Sequence, residues 1–200
     1  MTDVSVLMYI AAALVGYLVG SLNPAATIAR LRGVDLRHEG SGNPGATNAA
    51  RTMGRGVGIA VGLLDVLKGF IPAIVFTHLG GELAGELAGV AAVLGHITSP
   101  FLKGRGGKGV ATALGAILGT HAWWALPVLA AFAITVAVTR RVGLGAVAAA
   151  IVLIPTAIVM TDSWHARLMA VLIALLILVR HRANIESAIV QARGAVSGNS

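Results

Sequence analysis

Long apolar segments separated by short polar loops dominate the pattern of this chain. Residues 4–29 contain no charged side chain, and the helix within them is predicted to end near Asn23 and Pro24. The later apolar segments, which are charge-free or nearly so, cover residues 56–78, 83–98, 109–139, 142–160 and 165–180. A transmembrane helix needs about 20 mostly apolar residues. Most of these segments therefore have the length and composition of membrane-spanning helices.

The segment at 109–139 is too long for one untilted span. Its middle contains His121, Trp123, Trp124 and Pro127, and Trp is enriched where helices reach the membrane interface. We therefore predict two short helices within it. The predicted fold class is an all-α, polytopic membrane helix bundle of about seven transmembrane helices, some of them short, with five spans as the alternative.

Composition supports a membrane protein. Hydrophobic residues make up 56% of the chain, charged residues only 12%, and the mean hydropathy is +0.85. A soluble domain carries about 25% charged residues, so a water-exposed fold is excluded. With no Cys there is neither a disulfide nor a thiolate metal site. We expect one membrane-embedded domain over residues 1–200, with 194–200 as a flexible tail.

The basic residues indicate an orientation. With seven spans and the N-terminus outside, 13 of the 15 fall on one side: Arg30, Arg32, Arg37, Arg51, Arg55, Lys103, Arg105, Lys108, Arg140, Arg141, Arg180, Arg182 and Arg193. The positive-inside rule makes that side, and the C-terminus, cytoplasmic. The loops on the opposite side are expected to carry Asp3, Glu82, Glu86 and Asp162.

The first cytoplasmic loop, residues 37–51, is rich in glycine and contains Gly40, Gly42 and Gly45. No buried strand precedes this G-x-G-x-x-G pattern, so it does not indicate a dinucleotide-binding fold. A helix is predicted to begin near Asn43 or Thr47. Exposed backbone N–H groups, a helix N-terminus and Arg51 together favour an anion such as phosphate. A capped turn without a ligand is the alternative.

The second cytoplasmic loop, residues 103–112, combines four glycines with three basic residues. It departs from the nucleotide-binding P-loop because Leu102 occupies the first glycine position and Gly109 follows Lys108. ATP hydrolysis is therefore not expected. A glycine-rich turn at the start of a helix can still bind an anion, whereas an ordinary positive-inside loop would explain the charges but not the glycines.

Asp65 and Lys68 are predicted to form an ion pair inside a membrane segment. They lie three positions apart, which places them on one face of a helix. Charged residues within a membrane span are costly and often mark functional sites. A purely structural pair that supports the loops remains the alternative.

Several motifs together resemble one family. They are GSLNP at 20–24, GSGNPGATN at 40–48, LDVLKG at 64–69, GH at 95–96, GGKGVAT at 106–112 and RHRANI at 180–185. In this order they resemble the bacterial acyl-phosphate:glycerol-3-phosphate acyltransferases of the inner membrane. The resemblance extends over roughly residues 5–190.

The resemblance implies a reaction. A fatty acyl group would move from acyl phosphate to the 1-hydroxyl of glycerol 3-phosphate, giving lysophosphatidic acid and inorganic phosphate. The partners would be these two substrates and membrane lipids, with a monomer sufficient for the activity. No cofactor, metal or nucleic acid is expected. Because acyl phosphate is already activated, catalysis would depend on positioning and charge stabilisation without a protein nucleophile.

The resemblance also implies roles for individual residues. Ser41, Gly42, Asn43, Gly45, Thr47 and Asn48 would hold the acyl-phosphate head. Gly106, Gly107 and Gly109 would line the second anion site, and His181 and Asn184 would bind glycerol 3-phosphate. Arg51 and Lys108 would bind phosphate oxygens or stabilise the leaving group. His96 would act as a base or an orienting group, and Asp65 and Lys68 would form a supporting ion pair.

The chain departs from the family pattern in three places. Gly143 and Gly145 stand where the family often has serines, Ser99 stands where it has proline, and Asn23-Pro24 alters the first motif.

Two other functions fit the sequence less well. A small anion transporter would need basic groups near the bilayer midplane, and a nucleic-acid-binding protein would need aromatic residues among its basic ones. Residues 30–56 and 102–109 contain no aromatic residue.

Overall fold

A computed structural model describes residues 3–197, with side chains over 5–193, and within this part of the chain every regular element is helical. Ten α-helices follow one another: α1 Asp3–Ser21, α2 Pro24–Leu31, α3 Ala46–Met53, α4 Arg55–Gly80, α5 Glu82–Thr98, α6 Val110–Thr120, α7 Ala125–Thr139, α8 Val142–Met160, α9 Trp164–Arg180 and α10 Arg182–Ser197. The predicted all-α class is confirmed.

The first apolar segment breaks where the sequence predicts. The Oδ1 atom of Asn23 accepts a hydrogen bond of 2.8 Å from the Ala26 N–H and so caps α2. Pro24 then occupies the first position of α2, where no N–H is needed. Asn23 also donates from Nδ2 to the Pro44 carbonyl oxygen at 3.1 Å. The break therefore also anchors the part of the first polar loop that leads into α3 at Ala46.

Four helical segments of the described chain are long and apolar enough to span a membrane: Ser5–Leu31, Arg55–Gly80, Ala122–Thr139 and Val142–Met160. A fifth is gained if α9 and α10, which meet at an angle of 64°, count as one broken span. The 11-residue helix α6 is apolar but short. A membrane protein is thus confirmed, while the count of seven spans stays a prediction.

Glycines allow the helices to approach closely. A Cβ added at Gly16 or Gly20 of α1 would overlap the carbonyl oxygens of Ala88 and Ala92 in α5. In the same way, a Cβ at Gly115 of α6 would overlap a carbonyl oxygen of α4. Small residues that bring backbones together are the usual means of packing helices in a membrane. These contacts hold α4, α5 and α6 as the frame on which both polar loops rest.

One expectation about a loop is wrong. Glu86, expected in a loop, is 2% exposed and lies within α5. The last helix reaches Ser197, residues 198–200 lie outside the described chain, and the flexible tail at 194–200 stays a prediction. The side chain of Asp3 also lies outside the described part.

Candidate active site

Asn48 organises the first polar loop. Its Oδ1 accepts from the Ser41 N–H at 2.8 Å, and its Nδ2 donates to the carbonyl oxygens of Leu36 and Glu39 at 3.2 and 3.0 Å. Gly40 has φ +61°, and a Cβ there would overlap the Asn48 amide oxygen. The Asn48 side chain, which was predicted to contact substrate, therefore uses its polar atoms in hydrogen bonds within the loop. These bonds hold Ser41 at the cavity wall.

The first and second polar loops are joined directly. Arg37 donates from Nη2 to the Leu102 carbonyl oxygen at 3.0 Å. The Gly42 N–H donates to Glu39 within the first loop at 3.2 Å. Gly42 therefore shapes this loop through its own backbone, with φ +70°.

Gly106 and Gly107 join the second polar loop to the rest of the protein. Their N–H groups donate to the Ile97 and His96 carbonyl oxygens at 2.9 and 3.1 Å, and their carbonyl oxygens accept from Arg180 at 3.1 and 3.3 Å. A Cβ at Gly106 would overlap the His96 carbonyl oxygen, and one at Gly107 would overlap the His96 ring. Their backbone groups are thus occupied within the protein: the two glycines dock the second loop onto α5, and their contact with substrate stays a prediction.

Lys108 is the cation that this docking positions. Its Nζ donates to Asn184 Oδ1 in α10 at 2.6 Å. Burial, together with the positive charge of Arg180, lowers the pKa of the Lys108 amine. A Cβ at Gly143 would overlap the Asn184 side chain, so glycine at that position leaves the space that the Asn184 side chain occupies.

His181 begins the turn between α9 and α10. It is 2% exposed, and its Nδ1 donates to the Ile177 carbonyl oxygen at 2.8 Å. The bond holds the ring against the end of α9, where it lies beside Asn184 on the cavity wall. Both residues of the tail motif are thus brought to the site, and Asn184 is the one that contacts Lys108.

Asp65, Lys68 and His96 form a buried cluster, which we call the Asp65 cluster. Lys68 Nζ lies 2.9 Å from Asp65 Oδ1 and also donates to the Leu22 carbonyl oxygen at 2.6 Å. His96 Nδ1 lies 3.5 Å from the same Asp65 oxygen, while the opposite side of its ring abuts Gly107. The predicted ion pair is present, and His96 joins it rather than standing alone.

Most of the predicted site residues line one cavity of about 620 Å³. Predicted residues on its wall are Ser41, Asn43, Gly45, Thr47, Asn48, Arg51, Asp65, His96, Lys108, Gly109, His181 and Asn184. Gly42, Gly106, Gly107 and Lys68 lie outside this wall. Below the polar rim the lining is entirely apolar and runs between α6, α7, α8 and α9. The cavity thus has a charged head and a hydrocarbon-like body.

Sequence reasoning missed three residues of the rim: Arg140, Arg141 and Ser187. From the sequence alone the two arginines indicate only the cytoplasmic side. Their position at the α7–α8 turn, immediately before the glycines that replace the family's serines, was the available signal. In the described residues, no group of His, Asp or Glu side chains has an arrangement that could hold a metal ion.

Comparison with known proteins agrees with this geometry. The family model described as glycerol-3-phosphate acyltransferase matches residues 10–191. The chain belongs to the glycerol-3-phosphate acyltransferase family. It is 45% identical to the glycerol-3-phosphate acyltransferase of Thioalkalivibrio sulfidiphilus over 90% of both chains. It is 44% identical to that of Geobacter sulfurreducens over 86% of this chain and 89% of the other.

The structural relatives are crystal structures of PlsY (YgiH), an integral membrane glycerol 3-phosphate acyltransferase. Its glycerol 3-phosphate form superposes with a TM-score of 0.88 at 37% identity, over 92% of each chain. Its lysophosphatidic acid form gives 0.86 at 36% identity, also over 92% of each chain. These relatives confirm the family and the acyltransferase class that the motifs predict. The transporter alternative is therefore wrong.

Proposed function

We propose that this protein transfers a fatty acyl group from acyl phosphate to the 1-hydroxyl of glycerol 3-phosphate. The observation that carries the proposal is the shape of the cavity, in which a basic rim is continuous with an apolar interior. Such a cavity fits a molecule with an anionic head and an alkyl chain. Because a single chain supplies the whole wall, we propose that one membrane-embedded domain acts as a monomer.

The rim supplies complementary charge. Arg51, Lys108, Arg140 and Arg141 all border it, whereas the acidic residue on the wall, Asp65, is paired with Lys68. Basic groups fixed in a partly desolvated site stabilise negative charge more strongly than in water. We assign Lys108 and Arg51 to phosphate oxygens and Ser41, Asn43 and Thr47 to the acyl-phosphate head.

The reaction needs no covalent intermediate on the protein. The C1 hydroxyl oxygen of glycerol 3-phosphate bonds to the acyl carbonyl carbon, the bond from that carbon to the phosphate oxygen breaks, and the hydroxyl proton leaves with the departing phosphate. The protein holds both substrates in line and stabilises charge on the carbonyl oxygen and the leaving phosphate. His181 and Asn184 orient glycerol 3-phosphate in this scheme.

We propose that His96 is a positioning residue. One ring nitrogen faces Asp65, and the rest of the ring packs against Gly107 with only 4% of the residue exposed. A base must reach the proton that it removes. In this arrangement His96 acts instead through the second loop, which it holds so that Lys108 meets the cavity.

We also propose seven spans in the bacterial inner membrane, with the N-terminus outside and the cavity rim facing the cytoplasm. The concentration of basic residues around the rim supports this orientation. The chain contains no Cys, so single cysteines can report on it. Arg105→Cys should react with an impermeant maleimide only after permeabilisation, and Asp162→Cys should react in intact cells. The reverse pattern would overturn the orientation.

Acyl transfer is tested with purified protein in lipid. Palmitoyl phosphate and glycerol 3-phosphate are supplied, and lysophosphatidic acid and released phosphate are measured. We expect equimolar products. The same reaction with palmitoyl-CoA or palmitoyl-acyl carrier protein as the donor serves as the comparison. Product from either of these but none from palmitoyl phosphate would contradict the proposed donor.

A further inference from the structure

The apolar part of the cavity ends at a defined depth. The deepest residue that each of the four surrounding helices contributes is bulky and apolar: Ile117 in α6, Val128 in α7, Leu153 in α8 and Ile173 in α9. None of the four is more than 8% exposed. At 1.5 Å per residue, Leu153 lies about 15 Å along α8 from the rim at Gly143. We call these four residues the cavity floor.

The protein beneath the floor is closely packed. Beneath the floor lie Trp124, just before α7, and Ala157, Met169 and Ala170, further along α8 and α9. Each is at most 3% exposed, and none lines the cavity. All of them belong with the floor residues to one continuous core cluster. The core therefore closes the cavity in the direction that runs from the rim along the helices.

Alanines line part of the middle of the cavity on α6 and α8. They are Ala113, Ala146, Ala149 and Ala150, whereas α7 and α9 contribute the larger Leu129, Phe132 and Ile177. On α6 and α8 the small residues leave space that Ile117 and Leu153 then fill at the floor. No polar side chain lines this part of the wall, so it fits a hydrocarbon chain that continues from a head at the rim.

We propose that the cavity floor sets the longest acyl chain that this enzyme accepts, with Leu153 and Ile173 as the main determinants. The proposal rests on the proposed function, because it takes the acyl group of acyl phosphate as the occupant. Each methylene buried in an apolar site contributes roughly fourfold in binding. A chain that extends beyond the floor gains no further contacts and must displace packed side chains.

The test is a competition among donors. Wild-type protein in lipid receives an equimolar mixture of lauroyl, myristoyl, palmitoyl, stearoyl and arachidoyl phosphates with glycerol 3-phosphate, and mass spectrometry gives the distribution of products. Leu153→Ala and Ile173→Ala deepen the cavity and should shift the distribution to longer chains by roughly fourfold per added methylene. Ala150→Leu fills the space one turn above the floor and should shift it to shorter chains.

The matched control is Leu172→Ala. Leu172 is adjacent to Ile173 on α9 but 40% exposed and absent from the cavity wall, so the same atoms are removed without deepening the cavity. Its product distribution should equal that of the wild type. Ile173→Val, a smaller change, should give the same direction of shift in a protein that retains more of its packing.

The outcomes separate the two proposals. Folded, active floor variants with the wild-type distribution, or a shift equally large in Leu172→Ala, would overturn the floor as the determinant of chain length. No product from any acyl phosphate with wild-type protein would overturn the donor assignment instead. Opposite shifts for Leu153→Ala and Ala150→Leu would establish the floor.

Discussion

Two buried carboxylates contact histidines near opposite ends of α5. Asp65 of α4 lies beside the end that carries His96, and Glu86 lies near the start of α5 itself. The Asp65 cluster contacts the end of α5 that carries His96, and the Glu86 cluster comprises Glu86 with His121 and His165. Glu86 Oε1 lies 2.8 Å from His121 Nε2, and its Oε2 lies 2.6 Å from His165 Nδ1. The two carboxylates are alike in burial, with 3% of Asp65 and 2% of Glu86 exposed.

Their surroundings differ. Asp65 and His96 border the cavity and the second polar loop, whereas none of the Glu86 cluster lines the cavity. His121 instead stacks on Trp124 with a centroid distance of 4.1 Å, and the cluster ties α5 to the α6–α7 turn and to the start of α9. Position relative to the cavity therefore distinguishes the two clusters, because only the Asp65 cluster borders a space that a substrate can enter.

The largest expected effect concerns the cation that the Asp65 side of the molecule positions. Lys108→Ala removes the amine that borders the cavity and should lower kcat/KM by about a hundred- to a thousandfold, as loss of one fixed charge-stabilising donor does. Initial rates with acyl phosphate and glycerol 3-phosphate measure this. Lys103→Ala, an exposed lysine of the same loop outside the cavity wall, should behave as the wild type. Equal losses in both would contradict the role of Lys108.

Neutralising the two carboxylates tests the comparison directly. Asp65→Asn leaves the buried Lys68 uncompensated and should cost about 3–5 kcal/mol of stability. It should also lower kcat/KM by up to about a hundredfold, because displacement of the second loop misplaces Lys108. Glu86→Gln should cost about 1–3 kcal/mol from weakened hydrogen bonds to the two imidazoles, with kcat/KM unchanged.

Thermal denaturation in detergent measures the stability of both variants, and rates are taken well below their Tm values. If Glu86→Gln loses as much activity as Asp65→Asn, the Glu86 cluster also acts on the site, and the proposed difference between the clusters is wrong. A fully active Asp65→Asn would likewise contradict the role of the Asp65 cluster.

A smaller effect is expected at Gly143. Gly143→Ala places a Cβ where the Asn184 side chain lies and should move that side chain away from Lys108. Loss of a hydrogen bond to a charged group predicts a decrease in kcat/KM of about tenfold. Gly56→Ala is the control, because an added Cβ there meets nothing within 4 Å. Wild-type kinetics for Gly143→Ala would show that the Lys108–Asn184 contact does not matter for turnover.

The smallest effect is on the pH profile. Burial and the charge of Arg180 lower the pKa of the Lys108 amine, so the cation should be lost at a lower pH than for an exposed lysine. The rate should therefore fall as pH rises through that lowered pKa. In Lys108→Arg, whose guanidinium stays charged, the alkaline decrease should disappear from whatever activity remains. Rates are corrected for hydrolysis of acyl phosphate without enzyme. A decrease of equal position in both proteins would assign it to another group.

Much of this site could be predicted from local sequence patterns. The Asp65–Lys68 pair follows from a spacing of three residues on one helix face. The break at Asn23-Pro24 follows from an asparagine N-cap and a proline at the first helical position, and α3 begins at Ala46, next to the predicted Thr47. Periodicity could not reveal the Glu86 cluster, because His121 and His165 lie 35 and 79 positions away from Glu86.

The sequence by itself determined a helical membrane protein, its two glycine-rich loops and its family, because apolar length, turn chemistry and motif order are local properties of the chain. Only the tertiary structure decided that Gly106 and Gly107 dock on His96, that Lys108 meets Asn184 76 positions away, and that an apolar cavity extends from Lys108 into the helix bundle. These features depend on how closely helices approach one another, which the packing of all their side chains sets together.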